Sequence, residues 1–191
     1  MVVSSDEMNM IDFAIEVAAK AHRNQVRKET NIPYISHPYA VGFLLLQAGC
    51  SEEVVAAGIL HDTVEDTPIT LEYICEHFGE KVTQIVKGCS EPDKSLAWEV
   101  RKRHTIDFLR TAPPEVKVVA CADKLHNIRT IITDYQETGD EVWNRFKRGK
   151  KAQEWYYRGL VESLCNLTDG QKEGTIFQQF RSEVENLFGE E

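Results

Sequence analysis

Apolar residues recur along most of this chain at the three-and-four spacing of helices rather than the alternation of strands. Met10, Ile11, Ala14, Val17, Ala18 and Ala21 fit that template, so a first helix is expected from about Asp6 to His22. Residues 27–33 read as a loop. Pro38 then marks the first residue of a second helix, with His37 at or beside its N-cap and Gly49 at its end. Ser51, Glu52 and Glu53 give a cap and an acidic first turn to a third helix through the apolar stretch Val54 to Leu60. Two short helices follow, Thr70 to Phe78 stopped by Gly79 and Lys81 to Lys87 stopped by Gly88, then a polar loop from Cys89 to Lys94. Ser95 to Arg110 is helical in pattern, and Pro113-Pro114 opens a helix through Val116, Val119, Leu125 and Ile128. The polar run Thr133 to Gly139 reads as a break, with Glu154 to Leu167 and Ile176 to Leu187 as closing helices. No Asn-Gly or Asp-Gly turn joins two alternating runs. The expected architecture is an all-α bundle of about eight to ten helices in one domain, residues 1–191.

The third helix ends on the run His61-Asp62-Thr63-Val64-Glu65-Asp66-Thr67, which sets four ionisable groups directly after the apolar stretch. Helical residues four apart share a face, so His61 stacks over Glu65 and Asp62 over Asp66. One imidazole and three carboxylates in two turns suit a divalent cation with two acids to spare. His61 and Asp62 alone would under-coordinate an ion. His37, in an apolar neighbourhood at a helix start, is a further candidate ligand. So is Asp123, a carboxylate interrupting an apolar helix that must be paired or metal-bound to offset its desolvation. Together His37, His61, Asp62 and Asp123 form a mixed nitrogen and oxygen set suited to manganese, iron or another divalent ion that leans octahedral, and the lack of thiolates argues against structural zinc. Glu65 and Asp66 are then placed to take a proton from an activated water. Such an arrangement hydrolyses phosphate esters.

Composition narrows the partners. With 22 basic and 31 acidic residues the net charge is −9, which disfavours nucleic acid and anionic membrane. Basic residues still cluster at Arg23 to Lys28, Arg101 to His104 and Lys147 to Lys151, as a small polyanionic substrate would require. No apolar run reaches the length of a membrane span, the first residues do not read as a secretory signal, and five scattered cysteines read as reduced thiols. The chain is therefore expected to be cytoplasmic.

Several longer strings carry a family likeness: Ala21-His22 through Arg27-Lys28, Pro33-Tyr34-Ile35-Ser36-His37-Pro38, the His61 to Thr67 run, Phe78-Gly79, and Ala122-Asp123-Lys124-Leu125-His126-Asn127-Ile128-Arg129-Thr130. They resemble the HD metal-dependent phosphohydrolases, and specifically the hydrolase domain of the RelA/SpoT family in its stand-alone form, the small alarmone hydrolases. The resemblance implies a manganese-dependent hydrolysis of the guanosine alarmones ppGpp and pppGpp at the 3′ position, giving GDP or GTP and pyrophosphate. It implies His37, His61, Asp62 and Asp123 as metal ligands and Glu65 and Asp66 as the acids that activate water. Arg27 and Lys28 would pack on the guanine and ribose-phosphate side, Asn127 and Thr130 would contact the nucleotide, and Lys102 and Lys151 would contact phosphate. His22, His77, His104 and His126 are not expected to bind metal. Two other readings stay open: the same site acting on NADPH 2′-phosphate or a deoxynucleotide, and an HD domain that senses a nucleotide without cleaving it.

Overall fold

The computed structural model describes residues 9–28, 30–91, 93–165 and 175–189. Its described residues are helical throughout, apart from turns and an isolated bridge between Val26 and Pro33. The chain divides into two compact units, residues 1–90 and 91–191.

The first unit is built around a helix with no polar face. Val54 to Leu60 are seven consecutive buried residues, so the helix they form, α3 (Glu52–Leu60), must be covered on every side. It is packed by α1 (Met10–Ala21), α2 (Ser36–Gln47) and α5 (Leu71–Cys89). The approach of α2 to α3 depends on two glycines. A Cβ on Gly42 would sit 2.5 Å from Ile59 Cγ1, and one on Gly58 would overlap Leu45 Cδ1, so each helix presents a bare backbone to a branched side chain of the other. That contact sets the spacing between the start of α2, which carries His37, and the end of α3, which delivers His61.

α1 starts at Met10, where the Asn9 side chain accepts from the Ile11 amide, and the expected residues 6–8 lie outside the described ones. α2 begins at Ser36, two residues before Pro38; a proline is tolerated there because the first N–H groups of a helix have no partner within it. The expected continuation of α3 through Asp66 is corrected. Nδ1 of His61 donates to the Gly58 carbonyl at 2.7 Å and Thr63 Oγ1 donates to the Leu60 carbonyl at 2.7 Å, so side chains take the last carbonyls of α3. A separate turn, α4 (Thr63–Asp66), then starts with Asp62 as its N-cap residue. The two short helices expected on either side of Gly79 run on as α5 with a kink, where Gly79 has φ 83° and ψ 171°.

The second unit contains α6 (Trp98–Thr111), α7 (Pro114–Thr138), α8 (Gly149–Leu164) and α9 (Ile176–Phe188), with α6 on α8, and α9 on both α7 and α8. The expected break at Thr133 is also corrected: α7 continues to Thr138 and ends at Gly139, whose φ is 61°. The polar run is the exposed last turns of a helix, tied by Asp134 to Arg145 and by Thr138 Oγ1 to the Asp134 carbonyl at 2.9 Å. A 3-10 turn, Gly139–Arg145, follows it. α9 starts with a reciprocal capping box between Thr175 and Gln178. α8 begins at Gly149, earlier than the apolar pattern shows, and residues 166 and 167 of its expected end lie outside the described ones. No helix among the described residues is long and apolar enough to cross a membrane.

Candidate metal and phosphohydrolase site

In the first unit, three side chains expected as ligands meet. His37 is the second residue of α2 and is buried, and His61, the C-cap residue of α3, is buried beside it. Their rings lie edge to face with centroids 5.3 Å apart. With Nδ1 of His61 donating to Gly58, Nε2 is the nitrogen that carries the lone pair in the neutral ring. Oδ2 of Asp62 lies 3.1 Å from that Nε2 and 3.6 Å from His37 Nε2. Two imidazole nitrogens thus converge on one carboxylate oxygen. This mixed donor set, with the far ring nitrogen of His61 anchored on a backbone carbonyl, fits a divalent cation.

Tyr34 is the site residue that the sequence left without a role. Its hydroxyl donates to Asp62 Oδ2, and its ring packs between His22 and His37 with centroid distances of 5.0 and 5.8 Å. The signal was present in the string Pro33 to Pro38, because a tyrosine three residues before His37 falls on the approach to the same helix start. Glu65 and Asp66 lie on α4, immediately past Asp62, Glu65 half-buried and Asp66 exposed. Arg27 and Lys28 lie on the loop between α1 and α2, closed by the amide of Arg27 on the Ile32 carbonyl at 2.9 Å and that of Tyr34 on the Gln25 carbonyl at 2.9 Å.

In the second unit, Asp123 sits on α7 beside the buried Cys121 and Ala122. Both its oxygens are engaged: Lys124 Nζ donates to Oδ2 at 2.6 Å, and Asn127 Nδ2, one turn on, donates to Oδ1 at 2.6 Å. Burial pulls the Lys124 ammonium down, but the Asp123 carboxylate together with Tyr156 and Tyr157 offsets it and holds the group well above the ordinary lysine range. Asn127 thus contacts the predicted ligand, while Thr130 Oγ1 donates to the His126 carbonyl at 3.1 Å. Lys102 is paired with Glu91, as is Arg101, and its ammonium lies 5.1 Å from the centre of the Tyr156 ring. Burial, followed by the charge of Lys124, holds Lys102 below its ordinary range. Lys151 is exposed in the first turn of α8.

The HD domain family matches residues 14–151, most of the chain and every candidate site residue named above. This chain belongs to the HD domain family. As an HD domain protein it is 36% identical to the guanosine-3′,5′-bis(diphosphate) 3′-pyrophosphohydrolase MESH1 of Xenopus tropicalis, over 93% of this chain and 96% of that one. It is 39% identical to the human MESH1 over 70% of this chain and 74% of that one. It is also 37% identical to a GTP pyrophosphokinase of Streptomyces coelicolor over 80% of this chain. The HD chain spans about one sixth of the length of the bacterial GTP pyrophosphokinases it matches, 16 to 17%. Among solved structures, lmo0812 from Listeria monocytogenes EGD-e superposes with a TM-score of 0.75 at 38% identity, covering 81% of this chain and 99% of that one. A metazoan SpoT ortholog shares the fold with a TM-score of 0.78 at 24% identity, over 96% of this chain and 98% of that one. The family implies a divalent metal, and the His37 and His61 nitrogens beside Asp62 are donors that could hold one.

Proposed function

We propose that this chain is a guanosine-3′,5′-bis(diphosphate) 3′-pyrophosphohydrolase, converting ppGpp or pppGpp to GDP or GTP with release of pyrophosphate. The observation that carries the reading is the convergence of the two imidazole nitrogens on Asp62 at the head of the turn bearing Glu65 and Asp66. Its support from kinship is the likeness to MESH1 over nearly the whole of both chains.

His37, His61, Asp62 and Asp123 would hold the ion, taken here as manganese for its fit to nitrogen and oxygen ligands. When bound, the ion supplies Lewis-acid charge at the phosphoryl group under attack. The chain's own residues do the rest. Glu65 and Asp66 take the proton of the attacking water, the role in which positioned carboxylates typically contribute ~10²- to 10⁴-fold. Asn127 and Lys124 hold the two oxygens of Asp123 so that the carboxylate keeps one orientation. Arg27 stacks on the purine with Lys28 at the ribose phosphates, and Asn127 and Thr130 face the nucleotide. Lys102 and Lys151 neutralise the departing diphosphate. Water adds to the phosphorus attached to the ribose 3′ oxygen, the bond from that phosphorus to the oxygen breaks, and the oxygen takes up the proton that the acids received from the water and leaves as the ribose hydroxyl. The thiols of Cys121 and Cys165, which donate to the carbonyls of Ile176 and Phe177, suit the reducing interior of a cytoplasmic enzyme.

The test is to incubate the purified protein with ppGpp and manganese in ¹⁸O-labelled water and resolve the products by ion exchange. Label in pyrophosphate and none in the ribose hydroxyl is the expected result. Stepwise labelled orthophosphate would mean attack at the terminal phosphorus. Turnover of NADPH or a deoxynucleotide in place of ppGpp, or tight binding of ppGpp without cleavage, would replace the assignment while leaving the metal site standing.

A further inference from the structure

Gln25 is a neutral residue inside the basic run Arg23 to Lys28, and neither it nor its neighbour His22 has a part in the chemistry proposed above. Its hydrogen bonds nevertheless join three segments of the first unit. Its side-chain Oε1 is 2.8 Å from Nδ1 of His22, which is fully buried at the end of α1. Its Nε2 donates at 2.8 Å to the backbone carbonyl of Asp66, forty-one residues away in sequence. Its own carbonyl accepts the amide of Tyr34 at 2.9 Å, at the base of the loop that carries Arg27 and Lys28.

The chemistry of each group fixes the direction of this chain. An amide nitrogen can only donate, so Nε2 must be the atom facing the Asp66 carbonyl, and Oε1 is left to accept. His22 must then carry a proton on Nδ1, the nitrogen that faces Gln25, in a ring packed against Tyr34. The order His22 to Gln25 to Asp66 therefore runs one way, from the core to the last residue of α4. α4 is a four-residue turn, too short to be rigid by itself.

We propose that Gln25 is a positioning residue: held by His22, it fixes the turn bearing Glu65 and Asp66 against the loop bearing Arg27 and Lys28, and so sets the acids relative to the substrate-binding side. The inference rests on the reading of Glu65 and Asp66 as the proton-accepting pair. It adds a residue that touches neither metal nor substrate.

The experiment compares Gln25→Ala, His22→Asn and His22→Leu with the unchanged protein, reading kcat, KM and metal content with ppGpp, and amide exchange at Asp66 and Thr67. Gln25→Ala should lose about tenfold in kcat, the scale seen when an outer partner of a site is removed, with metal content unchanged and KM little moved. An asparagine places its amide nitrogen where Nδ1 of His22 stood, so His22→Asn should keep most of the rate, whereas His22→Leu should fall to the level of Gln25→Ala. The Asp66 and Thr67 amides, bonded to the carbonyls of Asp62 and Thr63, should exchange faster in Gln25→Ala. Full kcat in Gln25→Ala, or unchanged exchange at those amides, overturns the proposal, as does a loss that comes only with lost metal. Should a histidine variant fail to fold, Gln25→Ala decides by itself. If the unchanged protein does not cleave ppGpp, the functional assignment fails, and the exchange measurement still decides whether Gln25 holds the turn.

Discussion

Asp62 Oδ2 answers to three side chains at once: the Nε2 atoms of His37 and His61, and the Tyr34 hydroxyl, which donates to that same oxygen. A hydroxyl donated to a carboxylate holds it in one orientation, and outer partners of this kind are typically worth ~10- to 100-fold in metal affinity. Tyr34→Phe keeps the ring between His22 and His37 and removes only the donor, so manganese affinity measured by titration calorimetry should fall by about tenfold at unchanged thermal stability. Equal affinity in both proteins would mean that Asp62 needs no such support. Glu65→Gln and Asp66→Asn should behave in the opposite sense, keeping the metal while turnover drops by ~10² or more. The meeting of His37, His61 and Asp62 was legible because a charged or polar side chain amid apolar neighbours has few explanations. Tyr34, Gln25 and Lys124 were not, because a tyrosine, a glutamine or a lysine next to an aspartate is ordinary until the fold shows what it faces.

At the scale of elements, length and periodicity located the helices, and side-chain capping decided where they stop. The His61 to Asp66 run reads as one helix in sequence because its spacing is helical, yet His61 and Thr63 turn back on the carbonyls of Gly58 and Leu60 and end α3 early. Thr133 to Thr138 reads as a break because it is polar, yet polarity there marks only the exposed side of α7. Gly79 reads as a stop in sequence, and in the structure it is the kink within α5, an effect local to the backbone. Its φ of 83° with ψ of 171° is a region that only glycine occupies readily, and the space around an added Cβ is empty. Gly79→Ala should therefore destabilise the fold by about 1 to 3 kcal/mol through the backbone alone, measured by urea unfolding, with metal binding intact in the folded protein. A neutral substitution would show that the kink can relax into a continuous helix.

For the whole molecule, charge and burial make two further predictions. A chain of net charge −9 that takes up a polyanion must do so through local basic residues, so kcat/KM should fall as salt is raised from low ionic strength, mostly through KM. Insensitivity to salt would place the phosphates away from Lys102 and Lys151. Stability should also fall at alkaline pH. Burial raises the Cys165 thiol from 9.0 to about 11, and burial likewise raises Cys121, Tyr156 and Tyr157. Between about pH 9 and 11 the unfolded chain has released protons that the folded one still holds, so the contribution is whole below pH 9 and is lost as pH climbs through the folded value. The thermal midpoint should decline across that window, and Cys165→Ala should flatten part of the decline. The bare-backbone contacts have a different kind of consequence. Gly42 and Gly58 in the first unit and Gly159 in the second, where a Cβ would come 2.6 Å from Ile106 Cδ1, are positions with no larger neighbour in the genetic code that fits. The acids of the site can drift between aspartate and glutamate and still leave a folded chain. A scan of every substitution, scored by how much protein accumulates, would find its deepest intolerance at the residues that have no side chain to lose.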